Sequence, residues 1–428
     1  MHSAIRITSL VLTVSYCFAT TPSSADRDYH TFKDRQFAAF NAHYKQLRAE
    51  RVARAVALGK RVFQLESQGR PTACAHQILN EIKWLIGDTA DFPRIDGRLD
   101  ALQDLLSHPE RESLATQQDP ADGSWGRCYT EWFFKLDATY DHLNRKSSRN
   151  LHPKFPLRFL DRVNSPKKLR DYFDAVSTSD IARYGLDHSR ELNESMADLM
   201  RFIIRGRPAG YRWKPGIKAT LMDLLLHRLR NPATGWWGER YLSNGKVEFV
   251  DNLSLTFHIV RYLDGKVADM QKVVATTLAL KDRDDPAGWL DSGHYTDHNN
   301  MDVAVLFKYG RNSATDLQRR EITATLAMLL HWCLADSLQP DGSFRITESS
   351  SSMEEATYFG VAFLARIGYF DKSRRFWTKQ DFPEAAGARR RIVAYIEQHR
   401  RNGAAGGTYY EGALNEMGVD PNGQSHSK

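Results

Sequence analysis

Apolar residues recur at intervals of three and four through most of this chain, which is the helical period. Over 32–66, Phe37, Phe40, Tyr44, Leu47, Val52, Val56, Leu58, Val62 and Leu65 are separated by charged residues, predicting one or two amphipathic helices. The same pattern predicts helices over 72–86, 98–107, 125–143, 191–204, 217–229, 253–263, 267–279, 301–309, 316–337, 354–367 and 384–400. Alternation of period two is scarce. Its best instance flanks Ser243-Asn244-Gly245, a hairpin turn between TGWWGERYL and KVEFV, and Asp251 or Asn252 is placed to cap the helix that follows. The fold class expected is all-α with small β-hairpin excursions.

The breaks between helices repeat. Pro120 opens PADGSWG, Pro232 opens PATGWWG, Pro286 opens PAGW and Pro340 opens PDGSF, so proline, glycine and an aromatic residue return at matching offsets. The prolines lie 112, 54 and 54 residues apart. The first gap is close to two periods and is expected to hide a divergent unit with its turn near Tyr184-Gly185, while the Gly-rich stretch 403–410 would open a last unit. A period of 54 holds two helices and their connections. About six such pairs, each burying its apolar face on its neighbours, form an open solenoid or a closed ring. Closure is the expectation, because the helix after each turn begins polar and becomes strongly apolar, as an inner helix lining a cavity would.

Composition adds a compartment. His2 and Arg6 precede an apolar run over 7–19, and Ser23-Ser24-Ala25 supplies small residues, the pattern of a secretory leader cleaved after Ala25. Cys17 raises a lipoprotein alternative, which Tyr16 disfavours because a lipobox needs a small residue there. No later stretch approaches about 18 consecutive apolar residues, so no membrane span is expected. The mature chain, 26–428, is expected to be one secreted or periplasmic domain and a monomer. Cys74, Cys128 and Cys333 are too few and too far apart for a disulfide framework or a zinc site, and allow at most one bridge. The formal charge is +7, and removing the leader, whose one charged side chain is Arg6, leaves +6. Acidic and basic residues are mixed, so no nucleic-acid stripe stands out. A modest positive field suits an anionic substrate, and a solvated basic surface accounts for it as well.

The segments 118–125 (QDPADGSW) and 339–344 (QPDGSF) resemble the QW turns of triterpene cyclases. The unit as a whole resembles the α/α-toroid superfamily, which includes those cyclases, protein prenyltransferases, many polysaccharide lyases and several glycoside hydrolases. The resemblance covers about 70–415 and implies an α/α toroid; it does not fix an activity.

If the inner helices open on one mouth, their N-terminal polar residues share a site. The stretch 231–252, with the start of the next helix, offers Glu239, Arg240, Tyr241, Asp251, Asn252 and His258. Next comes DSGHYTDHNNMD, with His294, Tyr295, Asp297, His298, Asn299, Asn300 and Asp302. Further on lie Glu348, the serines up to Ser352, Glu354, Glu355 and Tyr358, and finally Tyr409, Tyr410 and Glu411. A β-eliminating lyase needs a base beside the uronate carboxylate, an acid for the leaving oxygen and a neutraliser for the carboxylate. Toroidal lyases commonly use Asn, His, Tyr and Arg for these tasks. By that resemblance the catalytic set is His294, Tyr295, Asn252 and Arg240, with Trp236, Trp237, Tyr241, His298, Asn299, Asn300, Glu355 and Tyr409 holding an acidic polysaccharide or oligosaccharide. Two carboxylates among Glu239, Asp251, Glu354 and Glu355 would instead suit a glycoside hydrolase. A non-catalytic glycan-binding or envelope scaffold protein is the third alternative. No HExxH or comparable spacing implies a metal, and no cofactor is implied. Asp282-Arg-Asp-Asp285 matches the DxDD acid of some terpene cyclases, but it directly precedes Pro286, where Asp-Pro starts an ordinary turn.

Overall fold

The computed structural model describes residues 29–144, 153–206, 211–347, 352–402 and 408–419. The expected leader with Cys17, the segment 348–351 with Glu348, and the start of the last Gly-rich turn, 403–407, lie outside the described residues. The chain is mostly helical. Its α-helices are α1 (Tyr29–Phe40), α2 (Tyr44–Ser67), α3 (Ala73–Asp88), α4 (Phe92–Ser107), α5 (Trp132–Asn144), α6 (Pro166–Val176), α7 (Ile181–Tyr184) and α8 (Ser189–Ile203). They continue with α9 (Ile217–Asp223), α10 (Leu253–Tyr262), α11 (Met270–Ala279), α12 (Asp297–Gly310), α13 (Asp316–Trp332), α14 (Met353–Arg366), α15 (Ala385–Asn402) and α16 (Thr408–Glu416). Strands β1 (Thr178–Ser179), β2 (Gly238–Ser243) and β3 (Lys246–Asp251) form one sheet in that order, with β1 parallel to β2 and the β2–β3 hairpin antiparallel. The hairpin turns at Asn244 and Gly245, both in the left-handed region.

Side-chain caps set several of the helix starts. Asn252 accepts from the Leu255 amide at 2.8 Å and so begins α10. Thr296 and Ser352 do the same for α12 and α14, and Thr315 with Gln318 closes a capping box on α13. Two predicted helices end differently from expectation, because 217–229 and 316–337 each finish in a π-turn, Leu224–Arg228 and Cys333–Ser337. The helix expected from residue 125 starts only at Trp132, since Gly126 is left-handed and the intervening residues turn. Helix α6 was not among the predicted segments, although Ser165-Pro166 starts it and Leu169, Tyr172, Phe173 and Val176 bury one face. Its charged residues outnumber those apolar positions.

The four predicted turns share one closure. Asp119 donates its amide to the Ser124 carbonyl at 2.8 Å, Asn231 to Trp236 at 2.8 Å, Asp285 to Leu290 at 2.7 Å and Gln339 to Ser343 at 2.8 Å. Trp125, Trp236, Trp237, Trp289 and Phe344, the aromatic residues of these turns, are all buried. Two of the turns are tied to the helix beyond them, because the Trp125 and Trp237 amides donate to the hydroxyls of Thr139 and Thr256 at 2.9 and 3.0 Å.

Helices α5, α8, α10, α12, α14 and α16 each contact the next, making a row. Within it α5 and α8 run the same way, since Arg190 lies over Phe134 and Arg201 over Tyr140. So do α14 and α16, where Tyr358 meets Tyr409 and Arg366 pairs with Glu416. Row helices are buried on most sides, as α12 is, whereas the alternating helices bury one face, as α13 does with Ile322, Leu326, Leu329 and Leu330. Helices α1–α4 carry a second apolar cluster. Lys33 fastens α1 to α3 and to the start of α8, pairing with Asp88 and, at 2.7 Å, with the buried Asp187. The hydroxyls of Tyr29 and Tyr241 donate to Asp187 at 3.0 and 3.1 Å. The one bridge that the cysteine count allowed is Cys74–Cys128, which ties α3 to the loop before α5; Cys333 is free and buried.

Gly123 has φ +78°, and a Cβ there would lie 1.9 Å from the Pro156 carbonyl oxygen; Gly342 has φ +96°, and a Cβ there would lie 2.4 Å from that of Arg391. Gly123→Ala and Gly342→Ala are each expected to destabilise the protein by at least about 1–3 kcal/mol, the usual cost of such a backbone conformation. Thermal unfolding followed by circular dichroism measures this, and unchanged midpoints would contradict a shared, glycine-dependent turn.

Candidate functional site

The residues first expected to form the site are dispersed. Trp236 and Trp237 are 0% exposed; their indole nitrogens donate to the Val273 carbonyl at 3.3 Å and the Leu225 carbonyl at 2.6 Å. They plug helix junctions and present no face for a sugar, which corrects that expectation. Tyr241 is 1% exposed and spent on Asp187, so it is a structural group as well. Arg240 donates to the Arg228 carbonyl at the end of the π-turn and lies over Phe249, satisfying an orphan helix-end carbonyl. Asn252 caps α10 and donates to Glu239 at 2.9 Å; Asn299 donates to the Trp289 carbonyl at 2.9 Å. Asn300 is fully buried with neither amide atom bonded. His294 is exposed in the loop before α12, and Tyr295 packs against Trp332 of α13. Among the described residues no contact joins Arg240, Asn252, His294 and Asn300.

His298, Glu355 and Tyr409 do come together. His298 stacks on Phe359 at 4.0 Å and feels the Glu355 carboxylate, while Tyr409 meets Tyr358 at 5.7 Å and also feels Glu355. Around them, polar residues of neighbouring row helices lie within electrostatic reach of one another. On α10, Ser254, His258 and Arg261 are half-buried while their neighbours are buried, a spacing of four and three that keeps them on one face. On α8, Arg190, Glu194, Asp198 and Arg201 follow the same spacing. Arg201 donates to Asp198 at 2.9 Å, to Asp137 of α5 at 3.0 Å and to the Tyr262 hydroxyl at 2.7 Å.

Desolvation dominates the electrostatics of this cluster. Glu194 keeps 27% of its side chain exposed and Tyr409 is 38% exposed, yet burial is the main cause that pushes both pKa values up. Burial, reinforced by Asp137, also holds the Asp198 carboxyl well above the carboxylate range. Burial lowers the pKa of His258, helped by Arg201, Arg261 and His298, and lowers that of His298 against the pull of Glu355 and Asp291. Tyr358 is pushed up by burial, which Arg261 opposes. At neutral pH this cluster therefore holds neutral imidazoles and protonated phenols. Among the described residues Arg261 has no carboxylate partner; its guanidinium rests on the rings of Phe257 and Tyr262. No group of three or more His, Cys, Asp or Glu among the described residues is arranged to hold a metal ion.

Arg261, Arg201, Asp198 and Glu194 were not among the expected site residues, and His258 and Tyr358 were noticed only as nearby polar groups. Their signal was a sparse one: single polar residues at helical spacing inside otherwise apolar helices.

At the start of α12, burial raises the Asp297 carboxyl to about 6, opposed by the Ser337 hydroxyl that donates to it. A folded-state value above the unfolded one contributes stability that is complete below about pH 4 and lost as pH rises through about 6. Asp297→Asn is therefore expected to gain on the wild type by up to about 3 kcal/mol between acid and neutral pH. Denaturant unfolding at both pH values tests this, and a pH-independent difference would contradict it.

Comparison with known protein families, curated proteins and solved structures gave no match to this chain, so its functional reading rests on the geometry.

Proposed function

We propose that this protein is an exported α/α toroid that cleaves a uronate-containing polysaccharide by β-elimination in the recess of its inner helices. The observation that carries the reading is Arg261, a guanidinium without a carboxylate partner among the described residues, within electrostatic reach of His258 on its own helix, Asp302 on α12 and Tyr358 on α14. An acidic sugar supplies the missing partner. In this scheme Arg261 binds the uronate carboxylate and stabilises the charge that builds on it. Neutral His258 takes the C5 proton, the C5–H electrons form the C4=C5 double bond, and the C4–O bond breaks. The Tyr358 phenol gives its proton to the leaving oxygen. His298, Glu355 and Tyr409 line the same recess and hold the neighbouring sugar.

Ring closure is supported by Tyr409, on the last helix of the row, which feels Asp137 and Asp141 on the first. The leader pattern and the Cys74–Cys128 bridge favour an oxidising compartment outside the cytoplasm. No helix among the described residues is long and apolar enough to cross a membrane. A glycoside hydrolase is the second reading, favoured by Glu194 and Asp198, whose raised carboxyls could act as acids at neutral pH.

Incubation with a panel of uronate polymers is expected to generate the near-ultraviolet absorbance of an unsaturated uronate. Arg261→Ala and His258→Ala should each slow this by at least about 100-fold with an unchanged circular dichroism spectrum. New reducing ends without absorbance would replace elimination by hydrolysis, and no cleavage of any polymer would overturn the enzymatic reading.

A further inference from the structure

Asp302 is not used in that scheme, yet its placement is unusual. It sits on α12, 1% exposed, and neither carboxylate oxygen has a hydrogen-bond partner. Helix α10 packs against α12 and brings Arg261 within electrostatic reach without a bond between the two side chains. A buried acid and a nearby guanidinium ordinarily pair, because each is costly to leave alone. The other groups acting on Asp302 are Arg366 of α14 and Asp285 of the loop before α12. Arg366 is already paired with Glu416, and Asp285 is an acid. Arg261 is thus the counter-ion left over for Asp302, just as it is the cation left over for a substrate.

We propose that Asp302 is a positioning residue that competes with the substrate carboxylate for Arg261. In one state Arg261 turns inward and pairs with ionised Asp302; in the other it points into the recess and Asp302 keeps its proton. The competition rests on the reading of Arg261 as the carboxylate-binding group, whereas the two positions of Arg261 do not. Burial is the leading cause that favours the protonated acid, opposed by Arg261 and Arg366, so rising pH moves Arg261 inward. Uronate binding then takes up a proton and weakens as pH rises.

Labelling with phenylglyoxal, read by peptide mass, reports how freely Arg261 reacts and needs no substrate. Between about pH 5 and about pH 9 the Arg261 rate in Asp302→Asn should rise by at least about threefold relative to the wild type, because the amide cannot ionise. Within the wild type alone, the Arg261 rate relative to exposed Arg390 should fall over the same range, which keeps the test available if the variant does not fold. Equal pH dependence of Arg261 and Arg390 in the wild type, or of Arg261 in both proteins, overturns the proposal. Glucuronate is added in a separate arm. If it fails to protect Arg261 while the Asp302-dependent reactivity persists, the substrate reading and the competition fail but the switch stands. If it protects Arg261 with no dependence on Asp302, the inference fails and the substrate reading stands.

Discussion

The backbone bond that closes each Gly-aromatic turn is the constraint on which the rest of the structure depends. It brings the chain back on itself at 119–124, 231–236, 285–290 and 339–343, and it drives a large aromatic side chain into the junction between helices. Once Trp125 and Trp237 are seated, Thr139 and Thr256 fix the registers of α5 and α10 by accepting their amides. Buried aromatic residues at these corners also resist sliding of one helix past another, because close-packed interiors do not deform gradually. The result is a row of helices with fixed starts, each packed on the next.

Burial between these helices sets the electrostatics of their polar residues. A helix such as α10 can afford a polar stripe only where its neighbours bring compensating groups, and the compensation here is incomplete. Arg201 is engaged by Asp137, Asp198 and Tyr262, whereas Arg261 has, among the described residues, only aromatic rings and distant charges. Desolvation does the remaining work: it lowers the pKa of His258 and His298 and raises the carboxyls of Glu194 and Asp198 against their arginine partners. Neutral imidazoles and protonated phenols beside a cation with no carboxylate partner among the described residues are suited to proton transfer next to a bound anion.

The turns were legible in the sequence because their cause is local: a polar residue and a proline start each turn, an aromatic follows, and in three of the four Gly123, Gly235 or Gly342 supplies a left-handed residue. The same holds for the hairpin at Asn244-Gly245 and for the Asn252 cap. The site was read less well, since burial is not a local property. Trp236, Trp237 and Tyr241 looked like sugar platforms only because nothing in their neighbours says that α11, the π-turn after α9 and Asp187 cover them. The polar density of DSGHYTDHNNMD drew His294 and Tyr295 into the expected site, but loops are polar because water surrounds them. Isolated charges such as Arg261 and Asp198 are the signal on which the proposed site rests, since a charge within a buried helix is expensive and has to face something.

The central claim is that the six row helices close on themselves around one recess. Pulsed electron-spin measurement of the distance between nitroxide labels at Asp141→Cys on α5 and Tyr409→Cys on α16 tests it most directly. Closure predicts a separation below about 25 Å, whereas an open row of helices spaced about 10 Å apart would place the labels about 50 Å apart and contradict the account.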